Sequence, residues 1–317
     1  ARHADIVLPA TTSYERNDIE SVGDYAGSAI LAMKKVIDPV YESKTDYEIF
    51  ALISEKLGKG KEFTEGKSEM DWIKSFYDAA LTQAKAKKIA MPEFDAFWNG
   101  AGVVEFPVTV GKTFVRYGKF REDPLLNPRG TPSGKIEIYS KNIEKMGYDD
   151  CGPHPMWYEP VERLGGPTTK YKLHVDTSHP KSRLHSQLCG TSLRETYAIA
   201  GHEPCLINTK DAEARGIKDG DVVRVYNDRG QILAGAKVSD AIRPGVIRVN
   251  EGGWYDPLEG GKPGTLCRYG DANVLTVDIG TSKLAQGNCG HTAVGEVEKY
   301  TGPAVTIGVF TAPKGAA

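Results

Sequence analysis

Between Leu173 and Gln187 the chain gathers His174, His179, Arg183, His185, Ser186 and Gln187, a dense set of hydrogen-bond donors and acceptors. Tyr171, Leu173 and Val175 alternate with Lys172 and His174, the period of a strand. The alternation breaks at Ser178-His179-Pro180, because proline fixes φ and lacks a donor. The polar side chains therefore stand on a loop at a strand end, where a polar and often phosphorylated ligand is commonly met. The same residues would serve a solvated surface turn, and the stretch alone does not separate the two. His174, His179 and His185 have no carboxylate or cysteine at ligand spacing, so no metal cluster is expected from them.

Other chemical motifs fail. Gly111-Lys112-Thr113 suggests a phosphate-binding loop, but Phe106 stands where its first glycine should be. There is no Gly-x-Gly-x-x-Gly, no Gly-x-Ser-x-Gly, and His202-Glu203 lacks the second histidine of a zinc protease. The five cysteines, Cys151, Cys189, Cys205, Cys267 and Cys289, are odd in number and never at Cys-x-x-Cys spacing. They read as free thiols.

These residues must be positioned by a chain of 317 residues, room for roughly two domains. Hydrophobic residues make up 40% and the net charge is −2, which gives no electrostatic reason for nucleic acid or an anionic membrane as partner. No apolar run approaches the ~20 residues of a membrane span. The chain opens on Ala1-Arg2-His3 without a signal-peptide pattern, and Ile6-Val7-Leu8 reads as a buried strand almost at once. A piece of a longer chain is the expectation.

Residues 1–40 read as the tail of an α/β unit, with a second apolar stretch at 29–37 and a local ion pair between Glu15 and Arg16. Thr45-Asp46-Tyr47-Glu48 is a capping box that predicts a helix with Ile49, Phe50, Ile53 and Leu57 on one face, stopped by Gly58. Ser68 opens a second helix, with Trp72, Ile73, Phe76, Tyr77, Ala80, Leu81 and Ala84 inward. A third is expected from Pro92 to near Gly100. Thr131 to Ser140 reads as a turn feeding an alternating strand. Leu164 to Thr169 is the linker candidate. Beyond it come short strands and frequent turns: a helix at 211–216, strands at 222–225, 231–238 and 246–249, and a hairpin at 227–230. That spacing predicts a small closed β-barrel. The expected class is α/β plus β: an α/β tail at 1–40, a helical and mixed segment at 41–165, and a barrel at 166–317.

Ala4-Asp5-Ile6-Val7-Leu8-Pro9-Ala10, Glu15-Arg16-Asn17-Asp18 and Thr131-Pro132-Ser133-Gly134-Lys135-Ile136-Glu137 resemble the molybdopterin oxidoreductases. Ser178 to Gln187, Gly201-His202-Glu203-Pro204, Glu251 to Pro257 and Gly280 to Asn288 are similar to their dimethyl sulfoxide / trimethylamine N-oxide reductase branch. The motifs run in order along essentially the whole chain.

The resemblance implies a periplasmic enzyme of anaerobic respiration, with molybdenum held by bis(molybdopterin guanine dinucleotide) and reducing S-oxides or N-oxides. This chain would be its C-terminal portion, with the metal's serine ligand in the upstream half. A redox donor such as a c-type cytochrome is implied as partner. The barrel would be a double-psi β-barrel over the pterin ends. Cofactor contacts are implied from Ser178, His179, Arg183, His185, Ser186, Asn273, Gln286, Gly287 and Asn288. The residue chemistry agrees: Arg suits phosphate oxygens, and His, Asn and Gln suit a pterin edge. Gly287 would admit a close backbone approach. No catalytic residue and no metal ligand is expected within the chain. A biotin sulfoxide reductase of the same fold is the near alternative. A non-catalytic double-psi binding module is the distant one, permitted by Gly216-Ile217-x-x-Gly220-Asp221-x-Val223. The polar sets at 178–187 and 273–288, which a plain barrel does not need, favour the enzyme.

Overall fold

The computed structural model describes residues 4–23, 27–107, 114–166 and 170–311. The chain start Ala1–His3, the Gly111-Lys112-Thr113 motif and the linker residues Pro167-Thr168-Thr169 lie outside them. Two units are found, Ala1–Pro128 and Arg129–Ala317. The expected role boundary at 165–166 lies inside the second unit.

The first unit contains strands β1 (Asp18–Val22) and β2 (Ala29–Met33), helices α1 (Asp46–Lys56), α2 (Gly60–Thr64), α3 (Glu69–Ala86) and α4 (Phe94–Asn99), strand β3 (Val103–Glu105) and helix α5 (Gly118–Glu122). The strands form one antiparallel sheet in the order β1-β2-β3. Thr45 and Ser68 close the capping boxes that start α1 and α3. On α3, Ile73, Tyr77, Leu81 and Ala84 are buried at helical spacing. Tyr77 stacks on Phe97 at 4.4 Å and meets Phe94 edge-on at 5.6 Å. With Ile30 and Val104 they make a small aromatic core.

Several expectations change here. Ile6, Val7 and Leu8 form no strand and are exposed. The apolar face expected of α1 is open as well: Phe50, Ile53 and Leu57 are exposed, and Ser54 is the helix's buried residue. Phe76 is likewise exposed, so the inward stripe of α3 is narrower than its apolar content suggests. The third helix starts at Phe94 rather than at Pro92. The Pro92 carbonyl instead accepts the Tyr77 hydroxyl at 2.8 Å. Glu15 does not pair with Arg16. It accepts from the Thr12 and Val40 backbone amides, while Arg16 pairs with Asp18.

The second unit opens with helix α6 (Lys141–Met146), capped by Ser140. The turn predicted at Thr131–Gly134 is present, but the strand after it is not, and Ile136 and Ile138 are exposed. Then come β4 (Leu173–Asp176), β5 (Pro204–Ile207), α7 (Thr209–Glu213), β6 (Val222–Tyr226), β7 (Gln231–Val238), β8 (Val246–Val249), β9 (Leu266–Cys267) and β10 (Val294–Lys299). The pairing order β5-β8-β4-β10-β6-β7 returns to β5, so six strands close a ring, with β9 added on β7. This is the double-psi β-barrel. β4–β8 and β5–β7 run parallel, and the other ring pairs antiparallel. Inward residues alternate along each strand: Leu173 and Val175, Cys205 and Ile207, Val223 and Val225, Ile247 and Val249, all at most 1% exposed. Each such aliphatic stabilises the fold by roughly 1.5–3 kcal/mol.

The ring also sets which loops share an end. β4 and β8 are parallel and finish together. β5 and β10, antiparallel to them, start at that end, and the β6–β7 hairpin turns there. The loops at 177–203, 250–265 and 268–293 therefore emerge on one end of the barrel.

Candidate functional site

His179 and His185 stand on the loop after β4, and Glu251 on the loop after β8. Glu251 bridges both imidazoles, Oε1 to His179 Nδ1 at 3.0 Å and Oε2 to His185 Nδ1 at 3.2 Å. The rings lie edge to face, 4.9 Å apart. One carboxylate thus occupies both Nδ1 atoms and leaves both Nε2 atoms for a ligand. The histidines are 72% and 61% exposed at the side chain, and Glu251 is 20% exposed. Burial raises the Glu251 pKa, but the hydrogen bonds and charge of the two histidines outweigh it and hold the carboxyl below its ordinary value. The carboxylate that the sequence did not place at ligand spacing to these histidines is therefore supplied by Glu251, from the loop after β8. The ligating atoms of the three residues lie within 4.8 Å of one another, a donor set that also suits a divalent cation.

The loop at 278–293 reaches the same place. Thr177 Oγ1 donates to the Gly290 carbonyl at 3.2 Å and lies 3.4 Å from His291 Nδ1. Asn288 Oδ1 accepts the Gly290 amide at 3.3 Å, and Asn288 pairs back on Gly280. Gln286 turns its amide to the Ser282 carbonyl at 2.8 Å. A side chain at Gly287 would meet only Thr281, at an ordinary 3.4 Å, so within this unit no backbone approach requires that glycine. Ser178 donates to Asp176 Oδ2 at 3.0 Å, Ser186 is exposed, and Asn273 is exposed on a short 3-10 turn, Ala272–Leu275. Of the expected contacts, His179 and His185 are thus brought together, Ser178 and Ser186 sit on the same loop, and Asn288 is linked through Gly290 to Thr177 at the start of that loop, not to the histidines themselves. Among the described residues no hydrogen bond ties Asn273, Gln286 or Gly287 to the histidine pair.

Arg183 occupies another place than the phosphate fork expected of it. Its side chain is 0% exposed and lies 3.0 Å from Glu203 Oε1, whose side chain is 1% exposed. Nε donates to the Tyr197 hydroxyl at 3.1 Å, and Nη1 donates to the His185 carbonyl and to the Glu251 carbonyl at 2.8 Å. The planar fork is committed to holding two loops of the protein itself. Glu203 Oε1 also accepts from Tyr269 at 3.0 Å and Tyr197 at 3.4 Å. Burial pushes the Glu203 carboxyl above its ordinary range against the pull of Arg183. His202, beside it, gives Nδ1–H to the Arg268 carbonyl at 2.7 Å, and burial lowers its pKa; it is a neutral core histidine.

Glu251, Glu203 and Trp254, whose indole donates to the Ser186 carbonyl at 2.9 Å, were not singled out as site residues from sequence. Glu251 and Trp254 lie in the motif Glu251 to Pro257, and that was their only local signal.

A family model described as molydopterin dinucleotide binding domain matches residues 173–294, and one described as molybdopterin oxidoreductase matches residues 1–56. The dimethyl sulfoxide/trimethylamine N-oxide reductase of Cereibacter sphaeroides is 71% identical over 316 residues, which is 100% of this chain and 38% of that protein. The reductase of the same name from Rhodobacter capsulatus is 70% identical over the same shares. The trimethylamine-N-oxide reductase of Haemophilus influenzae is 53% identical over 99% of this chain and 38% of its own length. The chain thus spans a little over a third of the curated relatives it matches. Among solved structures, acetylene hydratase from Pelobacter acetylenicus superposes with a TM-score of 0.65 at 20% identity, over 92% of this chain and 38% of that one, a likeness of fold.

Proposed function

The chain belongs to the molybdopterin oxidoreductase family, in its dimethyl sulfoxide/trimethylamine N-oxide reductase branch, and from that premise we propose that it is the C-terminal, cofactor-holding share of an S-oxide or N-oxide reductase. The observation that carries the proposal is one barrel end whose loops present His179, His185, Ser186 and Asn288 outward, within the span matched by the dinucleotide-binding model.

That donor set fits the group. A pterin edge carries several donors and acceptors, and two outward Nε2 atoms, a hydroxyl and side-chain amides complement it. In this reading His179 and His185 contact the bis(molybdopterin guanine dinucleotide), with Ser178, Ser186, Asn273, Gln286, Gly287 and Asn288 along the same face. Arg183 and Glu251 hold those residues from behind. When bound, the molybdenum centre supplies two-electron transfer of an oxygen atom. This chain binds and orients. The metal ligand, the substrate funnel and the surface that meets a donor such as a c-type cytochrome belong to the rest of the enzyme. A periplasmic location and a place in anaerobic respiration go with the same reading. Among the described residues no helix is long and apolar enough to cross a membrane.

The test is the intact protein, assayed for molybdenum, guanine nucleotide and reduction of dimethyl sulfoxide, trimethylamine N-oxide and biotin sulfoxide by a reduced dye. Turnover of one of the first two with bound cofactor is expected. Preference for biotin sulfoxide would move the chain to the sister activity. Absence of molybdopterin from correctly folded protein would overturn the reading.

A further inference from the structure

The strongest unassigned feature is the buried pair Arg183–Glu203. Charged residues this deep are expensive to desolvate and persist where geometry compensates. Glu203 Oε2 and Arg183 Nη2 both lack a hydrogen-bond partner, so the two side chains are held by charge at 3.0 Å rather than by a completed network. The other oxygen of Glu203 gathers Arg183, Tyr197 and Tyr269, and through Arg183 it reaches two loops at once.

Those loops are held in conformations they would not adopt freely. His185 has φ of 47° and Leu188 of 62°, both in the left-handed region that side chains disfavour. The His185 carbonyl is taken by Arg183 Nη1, and the following Ser186 carbonyl by Trp254. Across the gap, Gly252 has φ of 83°, and a Cβ there would lie 2.3 Å from the His185 carbonyl and 2.5 Å from Arg183 Nη1. Only a glycine lets the two backbones close on the guanidinium.

We propose that the Arg183–Glu203 pair is a positioning clasp: Arg183, with its charge matched by Glu203, ties the His185 and Glu251 backbones together, and so fixes the two outward imidazoles against their shared carboxylate. The consequence for cofactor retention rests on the function proposed above; the clasp itself does not.

The experiment uses the intact protein with Arg183→Met and Glu203→Leu combined, which replaces the pair by apolar side chains of similar bulk and keeps the core filled. Amide hydrogen exchange is followed in cofactor-free protein, and guanine nucleotide retention is followed after dialysis of loaded protein. Exchange at 184–190 and 250–254 is expected to accelerate at least tenfold while β4, β6 and β8 are unchanged, with at least tenfold faster loss of nucleotide. Arg183→Lys keeps the charge against Glu203 but loses the fork. A role in charge balance alone would be rescued by it, whereas the clasp predicts loosened loops again. It also serves where the double variant does not fold. Unchanged exchange in these loops overturns the clasp. Loosened loops with full cofactor retention leave the clasp standing and overturn the cofactor role of the loop.

Discussion

The barrel and the N-terminal unit treat their apolar residues in opposite ways. In the barrel, eighteen side chains from Leu173 to Val297 form one buried cluster, closed by a ring of strands without a free edge among the six. In the first unit the buried cluster has seven residues, centred on Tyr77, Phe94 and Phe97. Around it Ile6, Tyr41, Phe50, Leu57 and Phe76 stand exposed, Tyr41 at 98% and Leu57 at 72%. The barrel encloses its own core; among the described residues the first unit leaves a larger share of its apolar side chains uncovered. This agrees with a chain spanning 38% of its relatives.

The largest effect to expect from that difference is all-or-none. Residues 129–317 expressed alone should fold cooperatively, with dispersed amide resonances, and residues 1–128 alone should not. A cooperative N-terminal piece beside a molten barrel would reverse the comparison. Single substitutions sharpen it. Ile247→Ala removes a fully buried side chain and should cost about 2–5 kcal/mol by denaturant titration. Leu57→Ala should cost no more than about 0.5 kcal/mol in this chain and clearly more in the intact protein. Equal cost in both settings would mean that nothing covers α1.

A smaller, pH-dependent effect is expected at Asp271. Burial raises its carboxyl to about 6, while its Oδ1 caps the 3-10 turn through the Asn273 amide. With the folded pKa above the unfolded one, ionisation costs stability above pH about 6, and the cost fades as pH falls toward the ordinary carboxylate range. Asp271→Asn should therefore stabilise by up to about 3 kcal/mol at pH 8 and by little near pH 4. A gain independent of pH would remove the ionisation argument.

How far the sequence was readable follows the same division. The capping boxes at Thr45 and Ser68 were legible because a cap is settled within four residues. β8 was legible to the residue, Val246–Val249, because a barrel strand with one face inward must alternate. The apolar run Ile6–Leu8 and the alternation at Ile136–Ile138 form no strand. Apolar pattern reports a face that wants covering, and among the described residues these faces stay exposed. At the site, the loop at 178–187 was legible from its polar density. The bridge from its histidines to Glu251, 66 and 72 residues away, was not, because only the parallel pairing of β4 with β8 brings those loops together. For Arg183 the sequence left a phosphate fork and a loop brace alike, and Glu203, beside it in the structure, lies 20 residues along the chain with no local signal of the pairing.

We propose that the barrel's polar end holds a molybdopterin dinucleotide through the imidazoles that Glu251 aligns. The most direct measurement of this is molybdenum and guanine nucleotide per mole of folded intact protein, for the parent and for His179→Ala with His185→Ala. Each lost contact to a charged group is worth ~1.5–3 kcal/mol, about 10–100-fold in retention. A fall of at least that size is expected, with the melting temperature preserved, since both side chains are exposed. Full and equally tight occupancy in the double variant would contradict it.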